Sequence, residues 1–340
     1  RLGLYPYTYA RVSVMKGELI GRMQWQGMLK MGVNEILRNL QDGSYSDEIN
    51  ELGVMAKGSK DLAALEMALN KNMMRVFKKL KRISDEKVQE VMRVYMMRYD
   101  IENIKTVVRS MISEIGQEET QKMLLPSVNY PQEYYLELLK KENVIEVLDA
   151  LPFSDEIDIK TDEGKEPELF EIENELDRIY FNNLFDFSKR LSGEGKAMGE
   201  FIGAELEILN IKIITRLKRE QAGGREIKKY LIHPNSGIAK LADKSSIREV
   251  MDALHKMKYS SVKGDEAVPE EELAAQLEID LDTTLLRKEA LLMHKYPLTV
   301  NVILGFMLAK EIEIRNLKVL LKGKQLGLDE DYITKLLAVA

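Results

Sequence analysis

The sequence predicts an all-α fold made of three similar helical bundles. Apolar residues recur at three- and four-residue steps almost throughout, as in "VMRVYMMRYDIENIKTVV", which is the period of a half-buried helix. Alternation sustained over a strand length is rare. Three short phrases also occur three times each, in the same order and at nearly constant spacing, and repetition at a fixed period marks a repeated structural unit.

The first 20 residues, "RLGLYPYTYARVSVMKGELI", lack the apolar core of a signal peptide. Tyr5, Tyr7 and Tyr9 are expected to pack against the first helix, with an interface patch as the other reading. The first recurring element follows as "VNEILRNL" (Val33 to Leu40), "VIEVLDAL" (Val144 to Leu151) and "IREVMDAL" (Ile247 to Leu254). Asn143 with Glu146, and Ser246 with Glu249, have capping-box spacing, and Gly32 holds the same place before Glu35.

The second element is "LEMALN" (Leu65 to Asn70), "IENELD" (Ile172 to Asp177) and "LEIDLD" (Leu277 to Asp282). Its acids Glu66, Glu173 and Glu278 lie 107 and 105 residues apart. The third is "DIENIKTVVR" (Asp100 to Arg109), "EILNIKIITR" (Glu207 to Arg216) and "EIRNLKVLLKGK" (Glu313 to Lys324), with Asn103, Asn210 and Asn316 spaced by 107 and 106. Gly116, Gly224 and Gly327 each follow the third element and are expected to cap its C-terminus. In the third repeat a single helix is expected from about Leu298 to Lys324. The acidic run from Asp155 begins as a solvated linker and becomes an amphipathic helix over Leu169 to Leu184. Together these place repeat 1 with its N-terminal extension at 1–125, repeat 2 at 126–235 and repeat 3 at 236–340.

Composition narrows the function. Apolar residues at 45% and charged residues at 31% describe a folded chain, and 340 residues suit more than one core. A net charge of -6 with the signs interspersed weighs against nucleic-acid binding. The absence of cysteine removes disulfides, thiol nucleophiles and Cys-ligated zinc. The longest nearly apolar run, "LTVNVILGFMLA", falls short of the ~20 residues needed to cross a bilayer, so no transmembrane segment is expected. His233, His255 and His294 show no metal-ligand spacing. "GEGKA" (Gly193 to Ala197) lacks the strand and hydroxyl residue of a phosphate loop and reads as a helix start. No catalytic, cofactor or metal site is expected.

One polar position stands out. Asn103, Asn210 and Asn316 each sit at an apolar seam of the third element, where a lone buried Asn fixes helix register; direct contact with a partner is the other reading. Lys105 and Arg109, Lys212 and Arg216, and Lys318 and Lys322 lie roughly opposite and form a threefold set. They either meet a partner or brace neighbouring bundles.

The opening "YPYTYARVSVMKGELI", the "DIENIKTVVR" phrase and the closing "EIRNLKVLLKGKQLGLDEDYITKLL" resemble the C subunit of the A-type/V-type ATPase and ATP synthase, the relative of the eukaryotic V-ATPase d subunit. The resemblance runs from Tyr5 to Leu337, and the acidic insert around Asp155 to Glu168 departs from it. It implies a funnel of three helical bundles with pseudo-threefold symmetry. It also implies a non-catalytic, peripheral protein on the cytoplasmic face of the membrane, a socket between the D and F proteins of the central stalk and the proteolipid rotor ring. Transmitting torque would then be its task in ATP-coupled ion transport. An open α-solenoid adaptor is the alternative, although its repeats are far shorter than a period near 106.

Overall fold

A computed structural model describes residues 6–52, 61–127, 129–159, 167–191, 193–257, 259, 268–296 and 299–338. Among them the regular structure is helical and no strand occurs. In chain order the helices are α1 (Pro6–Gly17), α2 (Arg22–Leu29), α3 (Val33–Gln41), α4 (Ser46–Glu51), α5 (Leu62–Arg82), α6 (Glu86–Ile112), α7 (Gln117–Met123), α8 (Gln132–Leu138) and α9 (Val144–Asp149). They continue as α10 (Leu169–Arg190), α11 (Gly195–Arg219), α12 (Gly224–Tyr230), α13 (Ser236–Leu241), α14 (Ile247–Lys256), α15 (Glu270–Lys295), α16 (Val300–Gln325) and α17 (Glu330–Leu336).

The three elements read from the sequence fall on matching helices. The first lies on α3, α9 and α14, the second on α5, α10 and α15, and the third on the long helices α6, α11 and α16, each followed by a short helix. Caps explain the starts. Asn143 and Ser246 accept hydrogen bonds from the amides of Glu146 and Glu249, while at α3 the Gly32 amide donates to Glu35 Oε2 at 2.9 Å. α16 spans 26 residues and begins two residues after the expected start.

The helix ends correct the sequence reading at two of three glycines. Gly116 is the N-cap of α7, and Gly224 is the first residue of α12. The left-handed residue that closes each long helix is instead Glu114 (φ 53°), Gln221 (φ 63°) or Gly327 (φ 69°). Just beyond each, the amides of Ile115, Ala222 and Leu328 donate back to the carbonyls of Ser110, Leu217 and Gly323 at 2.8 to 3.0 Å, a Schellman closure used three times. The glycines mislead because only the third copy puts a residue without Cβ at the strained position. Gly224 has a different reason to be glycine: a Cβ there would meet the Ala242 carbonyl oxygen at 2.8 Å.

The chain divides into two compact units, residues 1–69 with 193–340 and residues 70–192. In the second, α6 packs along α10. Phe77, Val91, Met92, Tyr95, Ile104, Val107, Leu176 and Ile179 fill its core. In the first, α16 is the central element: it touches α1, α3, α11, α15 and α17, and α11 also packs along α15. Burial on most sides explains why α16 reads as nearly continuous apolar sequence. On α1, Thr8, Val12 and Met15 turn inward while Tyr7 is 64% exposed and Tyr9 37%. The expectation that these two tyrosines pack down is therefore corrected, and Tyr5 lies outside the described residues.

Candidate interaction site: the repeated polar positions

Three helices present the same polar phrase, and the Asn at its centre is used in one way each time. Asn103 Nδ2 donates to the Leu125 carbonyl at 2.9 Å, and the Leu125 amide donates to Asn103 Oδ1 at 2.7 Å. Asn210 holds Ile232 through the same two bonds, both 2.8 Å. Asn316 holds Ala338 at 2.7 and 3.0 Å. Each partner lies 22 residues on, in non-helical chain just after the short helices α7, α12 and α17. Such a residue brings an amide and carbonyl with no helical partner, half-buried at Leu125 and buried at Ile232 and Ala338, and the carboxamide answers both as a neighbouring strand would. All three Asn side chains are buried.

The acid three residues earlier forms a second repeated contact. Asp100 accepts from the Tyr135 hydroxyl at 2.6 Å, from Asn129 Nδ2 at 2.6 Å and from the Ser127 hydroxyl. Glu207 accepts from the Tyr259 hydroxyl at 2.6 Å, Lys288 Nζ at 2.6 Å and Asn235 Nδ2 at 2.9 Å. Glu313 accepts from the Tyr45 hydroxyl at 2.5 Å, the Ile20 amide at 2.6 Å and Lys310 Nζ at 2.8 Å. In the last two, the lysine also lies over the tyrosine ring, 4.1 Å from the centroid of Tyr259 and 4.3 Å from that of Tyr45. Burial pushes the hydroxyls of Tyr45 and Tyr259 up, and the adjacent carboxylates add to the shift. Burial also raises Asp100, against the pull of its three donors.

The repeated cations do not behave alike. Lys105 Nζ meets Asp177 Oδ1 at 2.6 Å, and Arg109 Nε meets Glu173 Oε1 at 2.5 Å, so two consecutive pairs tie α6 to an antiparallel α10. Arg109 also binds Glu102 at 2.7 Å. Lys212 repeats the first pair with Asp282 on α15 at 2.9 Å, and Arg315 of α16 reaches the other oxygen of that carboxylate. Arg216 turns to Glu220 at 3.5 Å and lines a cleft with Glu270 and Glu278. Lys318 makes no ion pair among the described residues; burial lowers its pKa, with the charge of Glu66 acting in the opposite direction. In the second element, Asn70 stands where the other copies have Asp177 and Asp282. Lys322 is exposed.

Among the described residues no group of three or more His, Asp or Glu is arranged to hold a metal ion, and no helix is long and apolar enough to cross a membrane. Glu194, within the "GEGKA" stretch, caps α16 by accepting from the Val300 amide at 3.0 Å. The tyrosine clasps escape sequence reading because they join residues as far as 268 positions apart. The seam pairs leave a trace: acids at 173 and 177 and bases at 105 and 109 have the four-residue spacing that two antiparallel helices match.

The family model described as ATP synthase (C/AC39) subunit matches residues 8–336. The chain belongs to this family. A C subunit of A-type ATP synthase from Methanococcoides burtonii is 28% identical over 98% of this chain and 94% of its own length. The protein of that name from Methanosarcina barkeri is 29% identical over 98% and 93%. Its namesake from Methanocaldococcus jannaschii is 29% identical over 99% and 86%. The C/AC39 assignment therefore covers nearly the whole chain and makes it a component of an A/V-type ATP synthase.

Proposed function

We propose that this C/AC39 protein is a non-catalytic central-stalk component of a rotary A/V-type ATPase. It acts as a socket linking the D–F axle to the membrane proteolipid ring and passes torque between them. The match to the C/AC39 family over residues 8–336 carries the reading. The repeated clasps support its form: three bundles, 1–125, 126–235 and 236–340, set as a funnel about a pseudo-threefold axis. In that role it would sit peripherally on the cytoplasmic face of the membrane.

Within that reading the repeated Asn residues fix register, and Lys105, Arg109 and Lys212 brace neighbouring bundles instead of meeting a partner. Their pairing with Asp177, Glu173 and Asp282 supports this. A three-part socket on a ring built from a different number of copies lacks one-to-one contacts, so the seam rests on shape and distributed charge. The test is capture of a purified D–F stalk pair by this chain at low and high salt. Stoichiometric capture that weakens with salt is expected; no capture at either salt concentration contradicts the socket.

A further inference from the structure

α5 carries the most one-sided run of positive charge in the sequence. Between Glu66 and Asp85 there are six lysines and arginines and no acid, in a chain whose net charge is -6. Five of them, Lys71, Arg75, Lys78, Lys79 and Arg82, line one cleft of about 580 Å³ with Met74 and Pro126. They recur at three- and four-residue steps, so like charges face each other along one helical surface and repel.

Four of the six lysines and arginines on the equivalent helices α10 and α15 have acids to meet. On α10, Arg178 pairs with Glu175; on α15, Lys288 and Lys295 pair with Glu207 and Glu200. Lys78, Lys79 and Arg82 meet no acid among the described residues. The cleft has the size of a small-ligand site, and Arg75 and Arg82 bring two planar forks that suit tetrahedral oxyanions. A compact ligand with several charges fits this density of cations better than a polypeptide carrying one carboxylate per residue.

We propose that the α5 cleft is a binding site for a multiply charged phosphoryl anion, held by Lys78, Lys79 and Arg82 with Lys71 and Arg75 alongside. The site is independent of the socket reading. A soluble polyphosphate and a phospholipid headgroup offer the same chemistry.

Thermal unfolding and calorimetric titration of the full chain with sodium tripolyphosphate test it. Tripolyphosphate is expected to raise the unfolding midpoint more than orthophosphate at equal ionic strength. Lys78→Gln/Arg82→Gln is expected to weaken binding by roughly tenfold or more, while being no less stable than the parent without anion, because repulsion has been removed. Lys81→Gln takes the same charge from the same helix outside the cleft and should keep the midpoint shift. Sedimentation with phosphatidylglycerol vesicles, competed by tripolyphosphate, assigns the headgroup as the source; tripolyphosphate binding without vesicle binding assigns a soluble anion. No shift with tripolyphosphate, an equal shift in the double variant, or an equal effect of polyglutamate at matched charge would overturn the site.

Discussion

α6 and α16 carry the same phrase, yet they share the use of only one of its two polar residues. Asn103 and Asn316 make identical pairs of bonds to a backbone residue 22 positions on. Lys105 sits in a partly buried ion pair with Asp177, whereas Lys318 has no such partner among the described residues. A position bonded to backbone is kept because every copy of the fold has that backbone. A position bonded to a side chain depends on a second residue, and the second element offers Asp177 and Asp282 in two copies but Asn70 in the other.

Replacing the Asn should have the largest effect and the same one in each copy. Asn103→Leu leaves the amide and carbonyl of half-buried Leu125 without partners, a cost of about 2 to 3 kcal/mol. Asn210→Leu and Asn316→Leu are expected to cost similar amounts in equilibrium urea unfolding. Unequal losses would break the equivalence of the three clasps.

Lys105→Met is next. It leaves Asp177 half-buried with Glu102 and Glu173 nearby, and burial already raises the pKa of that carboxyl against the pull of Lys105. The expected loss is about 2 kcal/mol, below the full cost of breaking a deeply buried pair because Asp177 remains 25% exposed. A matching loss of catalysed rotation in an assembled complex, with stalk capture intact, would sharpen the bracing reading.

The smallest effect has the opposite sign. Lys318 holds a charge that burial disfavours, so Lys318→Met is expected to stabilise by about 0.5 to 1 kcal/mol at neutral pH. Its folded pKa lies below the ordinary 10.5. The unfolded chain therefore holds the proton over the interval between the two values, and parent stability rises with pH there. The advantage of Lys318→Met should shrink as pH approaches 10.5, measured by urea midpoints across an alkaline series.

Much of this was legible in the sequence, and the limits have physical causes. The triplication, the helical period and the caps at Asn143 and Ser246 depend on local chemistry, which a sequence displays directly. The seat of the repeated Asn was visible, but its partner was not: Leu125, Ile232 and Ala338 look like ordinary apolar residues, and their backbone atoms do the binding. The tyrosine clasps join distant segments, and Tyr135 stands at a different place in its repeat from Tyr45 and Tyr259. The ends of α6 and α11 misled because Glu114 and Gln221 accept a conformation usually left to glycine. The basic face of α5 was present as letters, but net charge and interspersed signs averaged it away.

Side-by-side urea unfolding of Lys105→Met and Lys318→Met tests the central contrast most directly. Opposite shifts of the midpoint, down for Lys105→Met and up for Lys318→Met, are the expected result. Shifts of the same sign would contradict it, because the two lysines would then be equivalent members of one threefold set.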